Sequence, residues 1–221
     1  MKYGLGYLNI LSFVLIILYV SIHIPTFSMA TYERHYAEHG TAQKIGVSDE
    51  DLMRVTRHLI RYMGSQYDDL IVYATVNGEY RQFFNEREIY HMWDVRVLFT
   101  VGRVIVGIAI AVFLLTSFYA YKNLEILTFV KCAFYGTLGL IVSLLALIGI
   151  IFIDFNRAFI IFHEIFFFND LWLLNPATDL LINLVPEIFF VNIFVRVMII
   201  FVTSLVTIIV ASFLLKNRVK G

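Results

Sequence analysis

The chain has 221 residues and no net formal charge, with 60% of its residues hydrophobic and only 15% charged. An ordinary soluble domain is about 45–50% apolar and about 25% charged, so this composition excludes a typical soluble protein and predicts a membrane protein. The 17 basic residues balance the 17 acidic ones, so the total charge says nothing about partners. For a membrane protein we expect no nucleic-acid partner. The single cysteine, Cys132, excludes a disulfide framework within the chain and a cysteine-based metal site.

Four uncharged apolar runs approach the length of about 20 residues that a helix needs to cross the hydrocarbon core of a bilayer. They occupy residues 5–24, 104–121, 132–153 and 197–215. The first run is too long for the apolar part of a typical signal peptide, so we interpret it as an uncleaved helix. The sequence therefore predicts an all-α membrane protein, a single membrane domain over residues 1–221 with four transmembrane helices.

Basic residues near the ends of these runs predict the orientation, because lysine and arginine are enriched in short cytoplasmic segments. The residues expected on the cytoplasmic side are Lys2, Lys122, Lys131, Lys216, Arg218 and Lys220. Both termini should then be cytoplasmic in the cell membrane. The two long segments between the spans, residues 25–96 and 154–194, should be extracellular.

The first outer segment, residues 25–96, is predicted to be a folded extracellular cap. Ser48 followed by Asp51 is typical of a helix start, and Gly64 is typical of a helix end. Between them, apolar residues recur at helical spacing, at Leu52, Val55, Leu59 and Met63. Asn77-Gly78 then lies between two segments of strand character and suits a two-residue hairpin turn. The cap should contain an amphipathic helix and a β-hairpin.

The end of the cap leads into the second span and includes the first candidate site residues. Asn85 and Glu88 indicate a helix start. His91 and Asp94 are three residues apart and share one helix face, where a carboxylate can orient an imidazole and raise its basicity. Arg96 follows close to the expected membrane boundary.

The second outer segment contains ionisable groups in a stretch apolar enough to enter lipid, where such groups are costly unless paired, solvated or used. The polar residues of this stretch are His163, Glu164, Asn169, Asp170 and Asp179. Trp172 suits a membrane interface, and Pro176 and Pro186 interrupt helices, so we predict an interfacial loop between the third and fourth spans. A purely structural alternative is that the aromatic residues anchor this loop while Asp170 and Asp179 cap short helices.

Two stretches resemble the lipoprotein intramolecular transacylase (Lit) family of bacterial integral membrane proteins, namely REIYHMWDVR at residues 87–96 and FHEIFFFNDLWLLNPATDLLINLVPEIFF at residues 162–190. The resemblance implies an acyltransferase that acts on diacylglyceryl-modified bacterial lipoproteins. Such an enzyme moves the sn-2 acyl chain to the α-amino group of the N-terminal cysteine, which leaves a lyso-form lipoprotein. His91 and His163 match the histidines of the two family motifs, and the resemblance implies that they are catalytic.

We assign supporting roles to the neighbouring polar residues on this interpretation. The residues expected to orient the histidines or support the site are Asp94, Glu164, Asn169, Asp170 and Asp179. The residues expected to contact substrate or membrane lipid are Arg96, Arg157 and Trp172. Because amine and ester belong to one substrate molecule, neither an enzyme nucleophile nor a cofactor or metal is expected, and the active site should lie at the extracellular face.

Two other classes of function remain open from the sequence. A metal-dependent intramembrane hydrolase could use His91, His163, Asp94 and Asp170 as ligands, although no H-E-x-x-H motif is present. A non-enzymatic membrane scaffold or transporter subunit is the second alternative, but transporters place ionisable groups near the bilayer midplane, where these four runs have none.

Overall fold

The computed structural model describes residues 2–218, so Lys220 of the expected basic tail lies outside the described residues. The helices are α1 (Lys2–Phe27), α2 (Met29–His39), α3 (Thr41–Ile45), α4 (Asp49–Met63), α5 (Glu86–Lys122), α6 (Ile126–Ile153), α7 (Phe155–Phe166), α8 (Leu180–Leu184) and α9 (Glu187–Arg218). Two strands, β1 (Tyr73–Val76) and β2 (Glu79–Gln82), pair as an antiparallel hairpin.

Within residues 2–218, four helices are long and apolar enough to cross a membrane. They are α1, α5, α6 and α9, with candidate spans at Lys2–Phe27, Glu86–Lys122, Ile126–Ile153 and Glu187–Asn217. Each span contains one of the four uncharged runs of the sequence. The prediction of an all-α membrane protein with four transmembrane helices is therefore confirmed.

The chain forms two compact units, of which the first, here the transmembrane unit, contains the described residues of 1–23, 102–154 and 195–221. Within it, the side-chain amide of Asn9 on α1 donates to the hydroxyls of Thr116 and Ser117 on α5, both at 2.9 Å. Lipid is as apolar as leucine, so hydrogen bonds and close packing join helices in a bilayer. Asn9 is accordingly a polar link between α1 and α5.

The second unit, here the polar unit, comprises Ile24–Val101 and Phe155–Phe194. Its core includes the predicted helix α4, which begins where Ser48 Oγ accepts the Asp51 N–H at 3.0 Å and is capped by Gly64. The four apolar residues of the predicted helix face, Leu52, Val55, Leu59 and Met63, are all buried. The hydrophobic periodicity thus identified both the helix and the face that it buries.

The hairpin also follows its sequence signal. Asn77 and Gly78 have φ values of 52° and 87°, and Val76 pairs with Glu79 across a two-residue turn. Asparagine and glycine tolerate positive φ better than other residues, which is why this dipeptide closes such turns. The predicted β-hairpin is confirmed.

Helix α7 of the second outer segment was not predicted, and neither were α2 and α3 of the cap. Helices α2 and α3 end at Gly40 and Gly46, whose φ values of 60° and 78° are typical of left-handed helix caps. The amphipathic pattern of α2 is short, and its buried side includes the polar residues Thr31 and His35, which obscure the apolar stripe. The glycine caps were the sequence signals available for these helices.

His35 is a buried polar group of α2. Its ring lies 4.3 Å from that of His39 and 5.2 Å from that of Phe189, and neither ring nitrogen has a hydrogen-bond partner among the described residues. Burial, with a smaller contribution from neighbouring His39, lowers the pKa of His35 to about 4. His35 is therefore neutral in the folded protein at ordinary pH.

We expect a His35→Phe variant to lose part of the acid sensitivity of the fold. An unfolded histidine binds a proton with a pKa of about 6.5, whereas the pKa of folded His35 is about 4. Because the unfolded state binds more protons between these values, the free energy of unfolding decreases as the pH falls through this window. The thermal midpoint should decrease more steeply with acidification in the wild type than in His35→Phe. Equal slopes would contradict a neutral, buried His35.

Candidate active site

His163 lies in the last turn of α7, and its ring is fixed by a hydrogen bond to its own helix. Nδ1 is 2.7 Å from the carbonyl oxygen of Phe159, four residues earlier. Since a carbonyl oxygen only accepts, Nδ1 carries the proton and donates, which leaves the lone pair on Nε2. The backbone N–H of Phe167 donates to the His163 carbonyl at 2.8 Å and closes the end of the helix. The ring thus presents a basic nitrogen in a defined orientation.

Aromatic rings surround His163. Phe159, Trp172 and Phe167 have ring centroids 4.2, 4.9 and 5.4 Å from the imidazole, and the residue is only 8% exposed. This burial lowers the pKa of His163 below its ordinary value, while the hydrogen bond to the Phe159 carbonyl partly opposes the change. At neutral pH the ring is neutral and able to accept a proton.

His91 approaches this ring from α5. The start of α5 is fixed by reciprocal bonds, in which Asn85 N–H donates to Glu88 Oε2 at 2.7 Å and Glu88 N–H donates to Asn85 Oδ1 at 3.0 Å. This pairing confirms the helix start predicted from the sequence. His91 lies one turn further, is 7% exposed, and has its ring centroid 6.0 Å from that of His163. Its Nδ1 has no hydrogen-bond partner among the described residues.

Asp94 accepts a hydrogen bond from the loop that follows α7. Its Oδ2 accepts the side-chain amide of Asn169 at 2.9 Å, and the role of Asp94 in orienting His91 stays a prediction. The other side-chain atom of Asn169, Oδ1, accepts the backbone N–H of Leu171 at 3.0 Å and tightens the chain there. Helical spacing placed Asp94 on the same face as His91, but the loop after α7 supplies a donor that the spacing did not reveal. Asp94 thus holds the loop in place.

Asp179 also stabilises the loop. Its two carboxylate oxygens accept from the side-chain amide of Asn85 at 2.8 Å and from the backbone N–H of Asn175 at 2.7 Å. Burial alone would raise the pKa of this carboxyl, but the hydrogen bonds from Asn175, Asn85 and Thr178 outweigh it and keep the pKa below its ordinary value. Asp179 remains ionised and links the loop to the start of α5.

A cavity of about 550 Å³ lies beside α7. It is lined by Glu164, Asn169, Asp170 and Trp172, together with several apolar side chains. The Trp172 indole both lines this cavity and packs against the His163 ring. Within residues 2–218, neither Glu164 nor Asp170 forms a side-chain hydrogen bond to His163. The backbone carbonyl of Asp170 accepts a hydrogen bond from Arg87 on α5. The cavity therefore has polar and apolar lining residues, and one of them, Trp172, contacts the His163 ring.

The two arginines considered as substrate ligands have different positions. Arg96 donates to the Asp68 carbonyl at 3.0 Å, and its guanidinium lies 4.8 Å from the centre of the Tyr62 ring. These contacts direct it toward the end of α4 and the turn that follows. Arg157 is exposed in the first turn of α7, two turns before His163.

The residues that sequence reasoning did not connect with the site are Phe159, Phe167 and the first turn of α5. Phe159 and Phe167 precede and follow His163 by four residues, so the helical spacing was a usable signal for their contacts. Arg87 and Glu88 bond to residues far along the chain, at Asp170 and Leu181. No local pattern indicates such pairs.

Together, the fold and this site define a class of multi-pass helical membrane protein in which a buried histidine pair converges from two helices of a polar unit. The chain belongs to the lipoprotein intramolecular transacylase Lit family, whose model matches residues 7–190. Its members are acyltransferases that act on lipoproteins. No curated protein matches the chain significantly.

Solved structures share the fold. The membrane integral lipoprotein intramolecular transacylase Lit from Bacillus cereus superposes with a TM-score of 0.77 at 17% identity, over 100% of this chain and 99% of that chain. Histidine-to-arginine and histidine-to-alanine variants of the same protein give TM-scores of 0.79 at 18% identity, over 100% of this chain and 95% and 96% of theirs. These matches extend the likeness in fold to the full length of the described chain.

We expect a Phe159→Ala variant to raise the pKa of His163 toward its ordinary value. The substitution removes an aromatic ring that buries the imidazole but keeps the backbone carbonyl that accepts from Nδ1. Nitrogen NMR of histidine-labelled protein measures the pKa of His163 and shows which ring nitrogen carries the proton. The proton should be on Nδ1 in each protein. Phe155→Ala is the matched control, because Phe155 contacts Phe159 and not the imidazole. A pKa of His163 that is equal in all three proteins would show that aromatic burial does not determine it.

Proposed function

We propose that His91 and His163 catalyse the transfer of the sn-2 acyl chain of a diacylglyceryl group to the α-amino group of the N-terminal cysteine of a lipoprotein. The observation that supports this most directly is the convergence of two buried imidazoles, 6.0 Å apart between ring centroids, from α5 and α7. Acyl transfer from an ester to an ammonium needs one group that removes a proton and one that donates to oxygen. A pair of histidines supplies both.

The proton balance defines what each ring has to do. The amine nitrogen forms a bond to the ester carbonyl carbon, and the bond from that carbon to the glyceryl oxygen breaks. Of the three protons of the ammonium, one stays on the amide nitrogen, one ends on the new glyceryl hydroxyl, and one is released to solvent. The site must therefore accept protons from nitrogen and return one to oxygen.

We assign the role of base to His163. Its Nδ1–H is held by the Phe159 carbonyl, so Nε2 is free to accept a proton, and burial favours the neutral ring. His91 is then the donor to the carbonyl oxygen and the departing glyceryl oxygen. A neutral imidazole can stabilise an oxyanion through its N–H. An imidazolium can protonate the leaving group.

Intramolecular attack explains how such a small set of residues suffices. The amine and the ester are parts of one substrate molecule and close a ring at the tetrahedral stage, so no acyl-enzyme is needed. Well-oriented intramolecular reactions reach effective molarities of about 10⁵–10⁸ M. On this proposal, Trp172 and the cavity that it lines hold the polar end of the substrate beside His163.

The geometry gives less support to a metal-dependent hydrolase. No group of three or more histidine, cysteine, aspartate or glutamate side chains within residues 2–218 is arranged to hold a metal ion. Asp94, one of the ligands considered, is instead bonded to Asn169. No specific contact favours this second reaction over acyl transfer.

Expression of the chain in a host that makes diacylglyceryl lipoproteins should yield N-acyl, S-monoacylglyceryl cysteine on their N-terminal peptides. The total acyl mass should be unchanged, because the fatty acid moves within one molecule. Mass spectrometry of one abundant lipoprotein measures the modification of its N-terminal cysteine and the total acyl mass. Loss of the fatty acid from the lipopeptide would indicate a hydrolase and contradict the proposal.

His91→Ala and His163→Ala should each reduce formation of the lyso-form by about 10²–10⁴-fold, the usual cost of removing a general acid or base. The double variant should be little worse than either single variant, because residues that act on one reacting centre are not additive. His39→Ala and His58→Ala are matched controls outside the pair and should retain activity. Turnover near the wild-type rate in either single variant would remove that histidine from the chemistry.

We further propose that both termini are cytoplasmic and that the histidine pair is on the extracellular side, on the basis of the lysine placement. In a Cys132→Ser background, an impermeant thiol reagent added to intact cells should label Tyr80→Cys in the hairpin and leave Asn123→Cys in the α5–α6 link unmodified. Both positions are exposed and outside the apolar runs. Labelling of Asn123→Cys in intact cells would reverse the orientation.

A further inference from the structure

Glu88 is a buried carboxylate one turn before His91 on α5, and it is only 1% exposed. A carboxylate without water is costly unless its oxygens are hydrogen-bonded. Its Oε2 accepts the N–H of Asn85 at 2.7 Å, and its Oε1 accepts the N–H of Leu181 at 2.5 Å. One side chain therefore joins the start of α5 to α8, 93 residues further along the chain.

Asn85 and Asp179 extend this contact into a network that we name the polar clasp, consisting of Asn85, Glu88 and Asp179. The Asn85 side chain accepts from the Glu88 N–H and donates to Asp179, at 3.0 and 2.8 Å. The second oxygen of Asp179 accepts the N–H of Asn175 at 2.7 Å. The clasp thus fixes the end of the segment that runs from α7 to α8.

The other end of that segment joins the last turn of α7, which contains His163. Between these ends, Trp172 packs 4.9 Å from the His163 ring, and Asn169 donates to Asp94, one turn after His91 on α5. The segment and the start of α8 are consequently bonded to α5 on both sides of His91, at Glu88 before it and at Asp94 after it. A shift of α5 relative to this segment would change the separation of the two imidazoles.

We infer that Glu88 is a positioning residue for the reaction, and that its contacts with α5 and α8 set the separation of His91 from His163. This inference rests on the proposed function, since it concerns the same two histidines. Glutamate suits the position because both of its oxygens accept. A glutamine offers one acceptor and would turn an NH₂ toward either Asn85 N–H or Leu181 N–H, leaving that donor unpaired.

The first test is steady-state kinetics of Glu88→Gln on a synthetic diacylglyceryl lipopeptide in mixed micelles. Loss of a residue that orients a metal ligand typically costs about 10–100-fold. By analogy, kcat should fall by that factor while KM changes less than about twofold. Val55→Ala is the matched control, because Val55 is fully buried in α4 of the same unit and belongs to no part of the clasp. It should lower the thermal midpoint and leave kcat close to the wild-type value.

The second test does not depend on activity. The chain has two tryptophans, so a Trp93→Phe background leaves Trp172 as the sole indole, and a protonated imidazole in contact with an indole quenches its fluorescence. Acid titration should therefore quench Trp172, and the quenching should disappear in His163→Gln. Glu88→Gln should reduce its amplitude, because the segment that carries Trp172 no longer keeps its position against the imidazole.

A kcat of Glu88→Gln no lower than that of Val55→Ala, or an unchanged quenching amplitude, would overturn the positioning role. If Glu88→Gln does not fold, Glu88→Asp provides the same two readouts, since it keeps the charge but shortens the reach to Leu181, and an intermediate loss is expected. Full activity in the histidine variants together with reduced quenching in Glu88→Gln would refute the proposed function and leave the structural contact standing.

Discussion

A buried carboxylate is stable only when hydrogen bonds replace the water that it has lost. Glu88 and Asp179 satisfy this requirement with donors from two separate stretches of the chain, Asn85 on one side and Asn175 and Leu181 on the other. Neither stretch can satisfy these carboxylates alone. The need to satisfy them therefore brings the start of α5 and the segment before α8 together, and the positions of both histidines depend on that meeting.

On the proposed function, the same enclosure favours the chemistry of the histidine pair. The aromatic rings around His163 exclude water, and burial favours its neutral form, which is the form that accepts a proton. Exclusion of water also strengthens a hydrogen bond to the oxyanion of a tetrahedral intermediate, because the local dielectric constant is low. Where the rings exclude water, hydrolysis of the ester is also disfavoured, and hydrolysis is the reaction that competes with transfer to the amine.

The sequence predicted those parts of the fold that have local causes. The four spans follow from hydropathy, α4 from its apolar spacing, the hairpin from Asn77-Gly78 and the start of α5 from Asn85 and Glu88. The resemblance in two motifs pointed to His91 and His163, and the structure brings their rings together. The sequence did not reveal the partner of Asp94, the second contact of Glu88 or the burial of His35. Each of these is a tertiary contact, and the donor or the ring that makes it lies many residues away.

The solved structures have low sequence identity to this chain but share its fold. At 17–18% identity the fold is retained with TM-scores of 0.77–0.79. In a bilayer, one apolar side chain can replace another at most lipid-facing positions, because only length and hydropathy are required of the span. A hydrogen bond to a buried carboxylate requires a donor at a fixed place. The family model ends at residue 190, soon after α9 begins, so most of this apolar helix lies beyond the match, whereas all of the clasp lies within it. In this chain, the polar contacts of Glu88 and Asp179 therefore have narrower geometric requirements than the packing of the apolar spans.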